Sequence, residues 1–330
     1  MSQSRARTLS DIAKAAGVSR MTVSLALRNH PAAARATRER IQKLAGEMGY
    51  RPSPLISALM TSVRRRRSAP QSVVLAFIVD AQSVKRPTLG EYLQGARRRA
   101  GELGFKLDVF TYGDDDGATH GDGMTAARLD SILYARGVAG VIIAPLFEPG
   151  KTLSMNWERY AVTALGYSMP APALHRVVNH QIRGITIALE RLAELGYTRP
   201  GLALDDSDDV RVFHNWLAGY LAYAHLHGKR KFPPPFITKE WNRRTFAAWF
   251  KKHRPDAVLT LKEDVLPWIK ACGVSVPEDA GLAILNWEPD SGGVAGIDQD
   301  SVGVGVGAVD VTVSQIHANE RGVPAQPKIT

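Results

Sequence analysis

The chain has 330 residues, 45% of them hydrophobic and 22% charged, an ordinary globular composition that excludes wholesale disorder and leaves room for two or three packed domains. Its net charge of +10 is held unevenly: residues 1–70 carry fourteen of the 42 lysines and arginines and only three acids, while the remainder carries 28 bases against 29 acids. A single cysteine, Cys272, excludes an internal disulfide framework and any cysteine-based zinc site. The asymmetry points to a small polyanion-binding module joined to a nearly neutral body. The N-terminus, MSQSRARTLSDIAKAAG, is basic but lacks the apolar core of a secretory signal. The longest apolar stretches, Val73–Val79 and Val138–Phe147, fall far short of the roughly 20 residues that a membrane span needs. A cytoplasmic protein without a membrane partner is expected.

The first 50 residues read as three short helices. Thr8-Leu9-Ser10-Asp11 has the form of a capping box, in which the Thr8 hydroxyl accepts an orphan N–H and the Asp11 carboxylate reaches back. Leu9, Ile12, Ala13 and Ala16 then recur on one face, and Gly17 stops the helix because glycine enters the left-handed conformation without steric penalty. Ser19 opens a second helix with Val23, Ala26 and Leu27 inward, which leaves Arg20, Met21, Ser24 and Leu25 on the outer side. A third helix is expected from Thr37 to Met48, stopped by Gly49. Residues 51–70 form a linker: Pro52 and Pro54 stiffen its start, Leu55–Met60 suits a short helix, and Arg64–Arg67 repel one another unless an anion lies alongside.

From Ser72 onward, buried-strand runs alternate with helical periods. Strands are expected at Val73–Val79, Lys106–Tyr112, Val138–Pro145, Val162–Leu165, Gly201–Leu204 and Ala257–Leu261. Helices are expected at Leu89–Leu103, Ala126–Arg136, Ile182–Leu195, Val210–Leu226 and Arg243–Lys252. Such alternation argues for parallel sheets joined by right-handed crossovers, hence a doubly wound α/β body long enough for two units.

The most informative stretch is Asp11-Ile-Ala-Lys-Ala-Ala-Gly-Val-Ser-Arg-Met-Thr-Val-Ser24, which reads helix, glycine turn, helix. In such a unit the second helix lies in the major groove of DNA and reads base edges from its N-terminal turns. Residues 8–60 resemble the DNA-binding end of the LacI/GalR transcriptional regulators. The pattern T-x-x-D-[IV]-A-x-x-A-G-V-S-x-x-T-V-S runs without a gap from Thr8 to Ser24, Thr37-Arg38 opens the third helix and Met48-Gly49-Tyr50-x-Pro52 closes it. The resemblance extends less sharply over the rest of the chain.

The resemblance implies a fold of class α/β: a small all-α helix-turn-helix domain followed by a two-lobed, periplasmic-binding-protein-like body with doubly wound parallel sheets. Its expected divisions are residues 1–52 for DNA binding, 53–70 for a hinge helix and basic linker, and 71–330 for effector binding and dimerisation. Lobe 1 would take about 71–168 plus 296–322, and lobe 2 about 169–295 plus 323–330. Ser19, Thr22, Ser24, Thr37 and Tyr50 would contact phosphates, which position the module. Thr8, Ser10, Arg28 and Ser53 complete the implied DNA-facing set. Arg20, Met21 and Leu25 would face the bases from the recognition helix 19–28, with Arg20 suited to a guanine and the other two to apolar edges. Leu59 would wedge into the minor groove and kink the duplex.

By the same alignment a small ligand sits between the lobes, at the strand ends, with Asp80, Trp216, Trp241, Lys262, Asp264, Asn286 and Trp287 as candidate ligand residues. Several depart from the family pattern. Trp216 stands where many sugar-binding members have an arginine, Lys262-Glu263-Asp264 where an Asn-Asp is usual, and Leu285-Asn286-Trp287-Glu288 in place of Gly-x-Asp-Asp.

Other signals carry less. Gly303-Val-Gly305-Val-Gly307-Ala308 loosely fits a dinucleotide fingerprint, but it opens a late helix and reads as packing. Asp114-Asp115-Asp116-Gly117 lacks calcium-loop spacing, His225 and His227 fall on different helical faces, and no G-x-S-x-G elbow occurs. No metal, cofactor or catalytic centre is expected. The chain ends at Lys328-Ile-Thr330 with no heptad repeat to suggest a tetramer. The expected function is that of a homodimeric regulator, a repressor of a carbohydrate-related operon, on a palindromic double-stranded operator and modulated by a sugar or sugar-like effector. The alternative is an effector-independent regulator or activator with a degenerate cleft. A small-molecule binding protein with an incidental N-terminus and a nucleotide-dependent enzyme are the rivals from other classes.

Overall fold

The computed structural model describes residues 9–27, 33–48, 73–84, 86–113, 124–227, 232–288 and 293–330. It divides into two compact units, Met1–Gln71 with His317–Glu320, and Ser72–Ile316 with Arg321–Thr330.

In the first unit, α1 (Leu9–Ala16), α2 (Arg20–Leu27) and α3 (Arg35–Glu47) enclose a core of Ile12, Ala13, Val23, Ala26, Ile41 and Ala45. Gly17, at φ +64°, ends α1 in the left-handed conformation its sequence position requires. The third helix starts two residues before the expected Thr37, and Arg35 and Glu39 form an i,i+4 ion pair of 2.8 Å along its first turn. Two polar side chains of α3 fasten the other helices. Arg40 Nη2 donates to the Ala16 carbonyl at 3.1 Å and Gln42 Nε2 to the Ala26 carbonyl at 3.0 Å, satisfying helix-end acceptors that would otherwise be orphaned.

The body holds two five-stranded sheets in which every pairing is parallel. The first comprises β1 (Val74–Asp80), β2 (Lys106–Tyr112), β3 (Gly140–Ile143), β4 (Ala161–Leu165) and β5 (His175–Val177), in the order β2-β1-β3-β4-β5. The second comprises β6 (Pro200–Asp205), β7 (Phe236–Thr238), β8 (Ala257–Thr260), β9 (Gly281–Ile284) and β10 (Ala295–Gly296), in the order β10-β9-β8-β6-β7. Read from its first strand, each sheet repeats the same winding, with an order reversal beside β1 in one and beside β6 in the other. Such switch points open crevices outside the carboxyl ends of the strands.

Alternating residues of β1 feed both faces of its sheet. Leu75, Phe77 and Val79 pack under α4 (Pro87–Glu102) and α11 (Ser301–Ala318), while Ala76 and Ile78 pack under α5 (Ala126–Ala135). In the second lobe, α6 (Gln181–Glu194) and α8 (Asn215–Leu226) cover one face. The other is covered by α9 (Arg243–His253) and α10 (Val265–Lys270). The glycine run at the start of α11 is helix packing, as expected: a Cβ on Gly305 would lie 2.1 Å from the Tyr92 carbonyl oxygen, and one on Gly95 2.0 Å from that of Val302. The absent side chains let α4 and α11 cross nearly backbone to backbone.

Three expectations are corrected. The helix drawn over Val210–Leu226 is broken into α7 (Asp206–Val210) and α8, because Phe213 and His214 take φ +54° and +59° between them. The break is held by Asp209, fully buried, which accepts from the Leu217 amide at 3.2 Å and lies 2.9 Å from His214 Nδ1. The boundary at residue 168 cuts off β5, which pairs with β4 in the first sheet. The terminal residues, assigned to lobe 2, lie along β5 instead: Arg176 N–H donates to the Lys328 carbonyl at 2.9 Å and Thr330 N–H to the Arg176 carbonyl at 3.0 Å. An edge strand needs such partners for its outward backbone groups. Strands β5, β7 and β10 were not expected; at two or three residues they are too short for a periodic signal. No helix among the described residues is long and apolar enough to cross a membrane.

Candidate nucleic-acid interface and ligand cleft

The outer face of α2 begins with a side-chain cap. Ser19 Oγ accepts the Thr22 amide at 3.1 Å and lies 2.9 Å from Thr22 Oγ1, so both hydroxyls are oriented at the helix N-terminus. Backbone N–H groups and a positive helix end favour a phosphate there. Arg20 and Met21 are exposed, Met21 to 67%, while Thr22 and Ser24 are half-buried. Leu25 departs from expectation: it is half-buried and packs against the core, since it precedes Ala26 on the rim of the buried stripe. Thr37 is half-buried in the first turns of α3, and Ser10 lies in α1. Thr8, Arg28, Tyr50, Ser53 and Leu59 fall outside the described residues, as does the Arg64–Arg67 run.

In the body, a cleft of about 610 Å³ lies outside the strand ends of both sheets. Ser83 follows β1, Pro145 and Phe147 follow β3, Tyr167 and Ser168 follow β4, and Ser207 and Asp208 follow β6, all lining this cleft. Three of the seven expected ligand residues reach it: Trp216, Lys262 and Asn286. Trp216 is 2% exposed, a core side chain packed against Gly184.

The other four serve the scaffold. Asp80 Oδ1 accepts the Gln82 amide at 3.0 Å and Oδ2 the Phe147 amide at 3.1 Å, which ties the end of β1 to the loop after β3. Trp241 donates to Asp264 Oδ2 at 3.1 Å and joins an aromatic cluster with Phe236 and Trp268; neither residue of that bond lines the cleft, although the Lys262 ammonium, which does, lies 5.3 Å from the Trp241 ring centroid. Trp287 donates from Nε1 to the Val294 carbonyl at 2.9 Å.

Sequence reasoning missed Arg86, Tyr92, Asn179, Gln181, Arg211 and Gln299, which all line the cleft. Tyr92 Oη donates to Asn179 Oδ1 at 3.1 Å, and burial pushes its hydroxyl up to about 12. Asn179 in turn donates to the Gln299 carbonyl at 2.8 Å, and Gln299 Nε2 to Asn286 Oδ1 at 3.0 Å. Arg211 is brought down to about 10 by burial and by the neighbouring Arg86, with Asp208 opposing. Its placement comes from the break between α7 and α8, which a helical reading of Val210–Leu226 conceals. Among the described residues no cluster of three His, Cys, Asp or Glu could hold a metal ion.

A capped, exposed helix on a small three-helix unit, joined to a two-lobed body with a cleft at its switch points, defines a DNA-binding regulator with a small-molecule site. Residues 8–53 match the family of bacterial regulatory proteins, lacI family. The chain is 35% identical over 299 residues to the HTH-type transcriptional repressor CytR of Escherichia coli (strain K12), covering 87% of this chain and 81% of that protein. It is 27% identical over 203 residues to the HTH-type transcriptional regulator DegA of Bacillus subtilis (strain 168), a match spanning 60% of this chain and 55% of that protein. The fold is shared with the lac repressor dimer bound to operator and the anti-inducer ONPF, at a TM-score of 0.54 and 19% identity over 98% of this chain and 97% of that one. The chain belongs to the lacI family, and it is a DNA-binding transcriptional regulator, not an enzyme.

Proposed function

We propose that the chain represses a metabolic operon from the cytoplasm. As a homodimer it would set α2 of each copy into successive major grooves of a palindromic operator. Leu59 would enter the minor groove between them, and a small sugar-like metabolite in the cleft would shift the balance between two body conformations. The observation that carries this reading is the outer face of α2, where Arg20 stands exposed beside the Ser19–Thr22 cap. One such helix contacts few phosphates, so a two-fold arrangement is the natural route to useful affinity. Repression is supported by the name of the CytR relative, and the dimer and operator by the lac repressor structure. Buried polar atoms left without partners in the cleft favour a regulated protein over one with a degenerate site.

Random-site selection with the full chain, followed by gel shift of the enriched duplex, tests the reading. A palindromic consensus is expected, with binding reduced by Arg20→Ala. If six phosphates are neutralised, affinity falls about 10³-fold or more between about 50 and 200 mM salt. A full chain that enriches no sequence overturns the reading.

A further inference from the structure

Two arginines of the cleft approach each other from opposite lobes without a carboxylate between them. Arg86, just before α4 in the first lobe, and Arg211, in the break between α7 and α8 of the second, meet around Phe147. The Arg86 guanidinium carbon lies 5.2 Å from the centroid of the Phe147 ring. Arg211 Nη2 donates across the cleft to the Leu146 carbonyl at 3.3 Å and to that of Phe147. Among the described residues neither guanidinium forms an ion pair with a carboxylate, and Nε of each is buried without a hydrogen-bond partner.

The lining also holds Lys262 and the acids Asp208, Glu263 and Glu288. Lys262 Nζ lies 3.1 Å from Asp205 and 3.6 Å from Asp208, Glu288 Oε1 accepts from Asn286 at 3.4 Å, and Glu263 is exposed. A second unsatisfied group lines the same space: Gln181 is 6% exposed, and its Oε1 accepts nothing. Buried polar groups without partners are costly, and charged ones more so.

We infer that the cleft binds a small metabolite bearing a carboxylate or phosphate, held between Arg86 of one lobe and Arg211 of the other, with a hydroxyl donated to Gln181. The inference deepens the reading of the cleft as the regulator's ligand site and rests on it. A planar guanidinium with a free Nε pairs with either anion through two N–H groups, whereas a neutral sugar leaves both like charges facing each other. The anion also supplies a lobe-to-lobe connection. Without it the two guanidinium groups repel across the cleft; with it both are attracted to one centre. Ligand binding and lobe closure are thereby coupled through a change of sign at one point.

The test uses the full chain and isothermal titration with glucose, glucose 6-phosphate, gluconate, inorganic phosphate and acetate at matched ionic strength. At least one anionic probe should bind about tenfold or more tightly than glucose, and Arg86→Gln and Arg211→Gln should each weaken it by about tenfold or more. Glucose 6-phosphate against gluconate, and phosphate against acetate, separate the two anion types. Cooperative melting of each variant checks its fold; if Arg211→Gln does not fold, the half-exposed Arg86→Gln carries the test alone. Three results overturn the inference: glucose bound as well as its charged derivatives, no anion bound, or anion binding that both substitutions leave intact, which would place it on the basic N-terminal segment. Operator binding in the same samples separates the failures. Selective operator binding without an anion response overturns this inference alone, whereas loss of selective operator binding by the unmodified chain overturns the wider reading.

Discussion

Lys262 Nζ stands 3.1 Å from Asp205 Oδ2, joining the carboxyl ends of the neighbouring strands β8 and β6 at the rim of the cleft. Asp205 Oδ1 accepts from Ser207 N–H at 2.9 Å and from Ser207 Oγ at 2.7 Å, which caps α7. Burial works to raise this carboxyl, but the Ser207 and Lys262 hydrogen bonds outweigh it and hold Asp205 below its ordinary value. A lowered carboxylate contributes stability that is present above its unfolded value and is lost as the pH falls through its folded one. Asp205→Asn is therefore expected to be less stable than wild type at neutral pH, with the gap closing in acid below the usual carboxylate range. Urea unfolding of both proteins across the acid limb checks this, and a gap that widens in acid contradicts it.

Gly95→Ala would place a Cβ 2.0 Å from the Val302 carbonyl oxygen, a backbone atom that cannot swing aside. Helices α4 and α11 must then move apart above the first sheet, at a cost of about 1–3 kcal/mol. The denaturant midpoint of the body should fall with an unchanged slope. Gly101→Ala, on the same helix with open space at its Cβ, serves as the control.

Gln42→Ala removes the 3.0 Å bond from α3 to the Ala26 carbonyl at the end of α2. The expected loss is about 1 kcal/mol. Hydrogen exchange of the Val23–Leu27 amides should accelerate about fivefold if they open locally. Operator affinity should fall with it, because a frayed α2 no longer presents Arg20 in one orientation.

Arg20→Lys preserves charge but replaces a planar fork with a single ammonium. If Arg20 reads a guanine, the variant keeps the salt slope of binding and loses about 1–3 kcal/mol of discrimination at one base position. Binding of unaltered selectivity across single-base operator variants would assign Arg20 to the phosphates instead.

The first unit was legible because its signals are local. Gly17, the Ser19 cap and the spacing of Ile12, Val23, Ala26 and Ile41 each act within one or two helical turns, and the structure places all of them as read. The first strands were legible too, since Val74–Asp80 and Lys106–Tyr112 are long enough to carry a pattern. The cleft was not. Asp80, Trp241 and Trp287 have the chemistry of ligand residues, yet the Asp80 carboxylate and both indole N–H groups are taken by scaffold hydrogen bonds that no spacing announces. Arg86 and Arg211, 125 positions apart, look like ordinary surface arginines in the linear text.

By itself the sequence determined that a basic helix-turn-helix precedes a doubly wound body, because cap, turn and periodicity are short-range properties of the chain. Only the tertiary structure decided which side chains face one another across the cleft, where α7 ends and α8 begins, and that the terminal residues run along β5. Those outcomes depend on strand ends drawn together by two separate sheets, and contacts of such long range leave no local pattern to read.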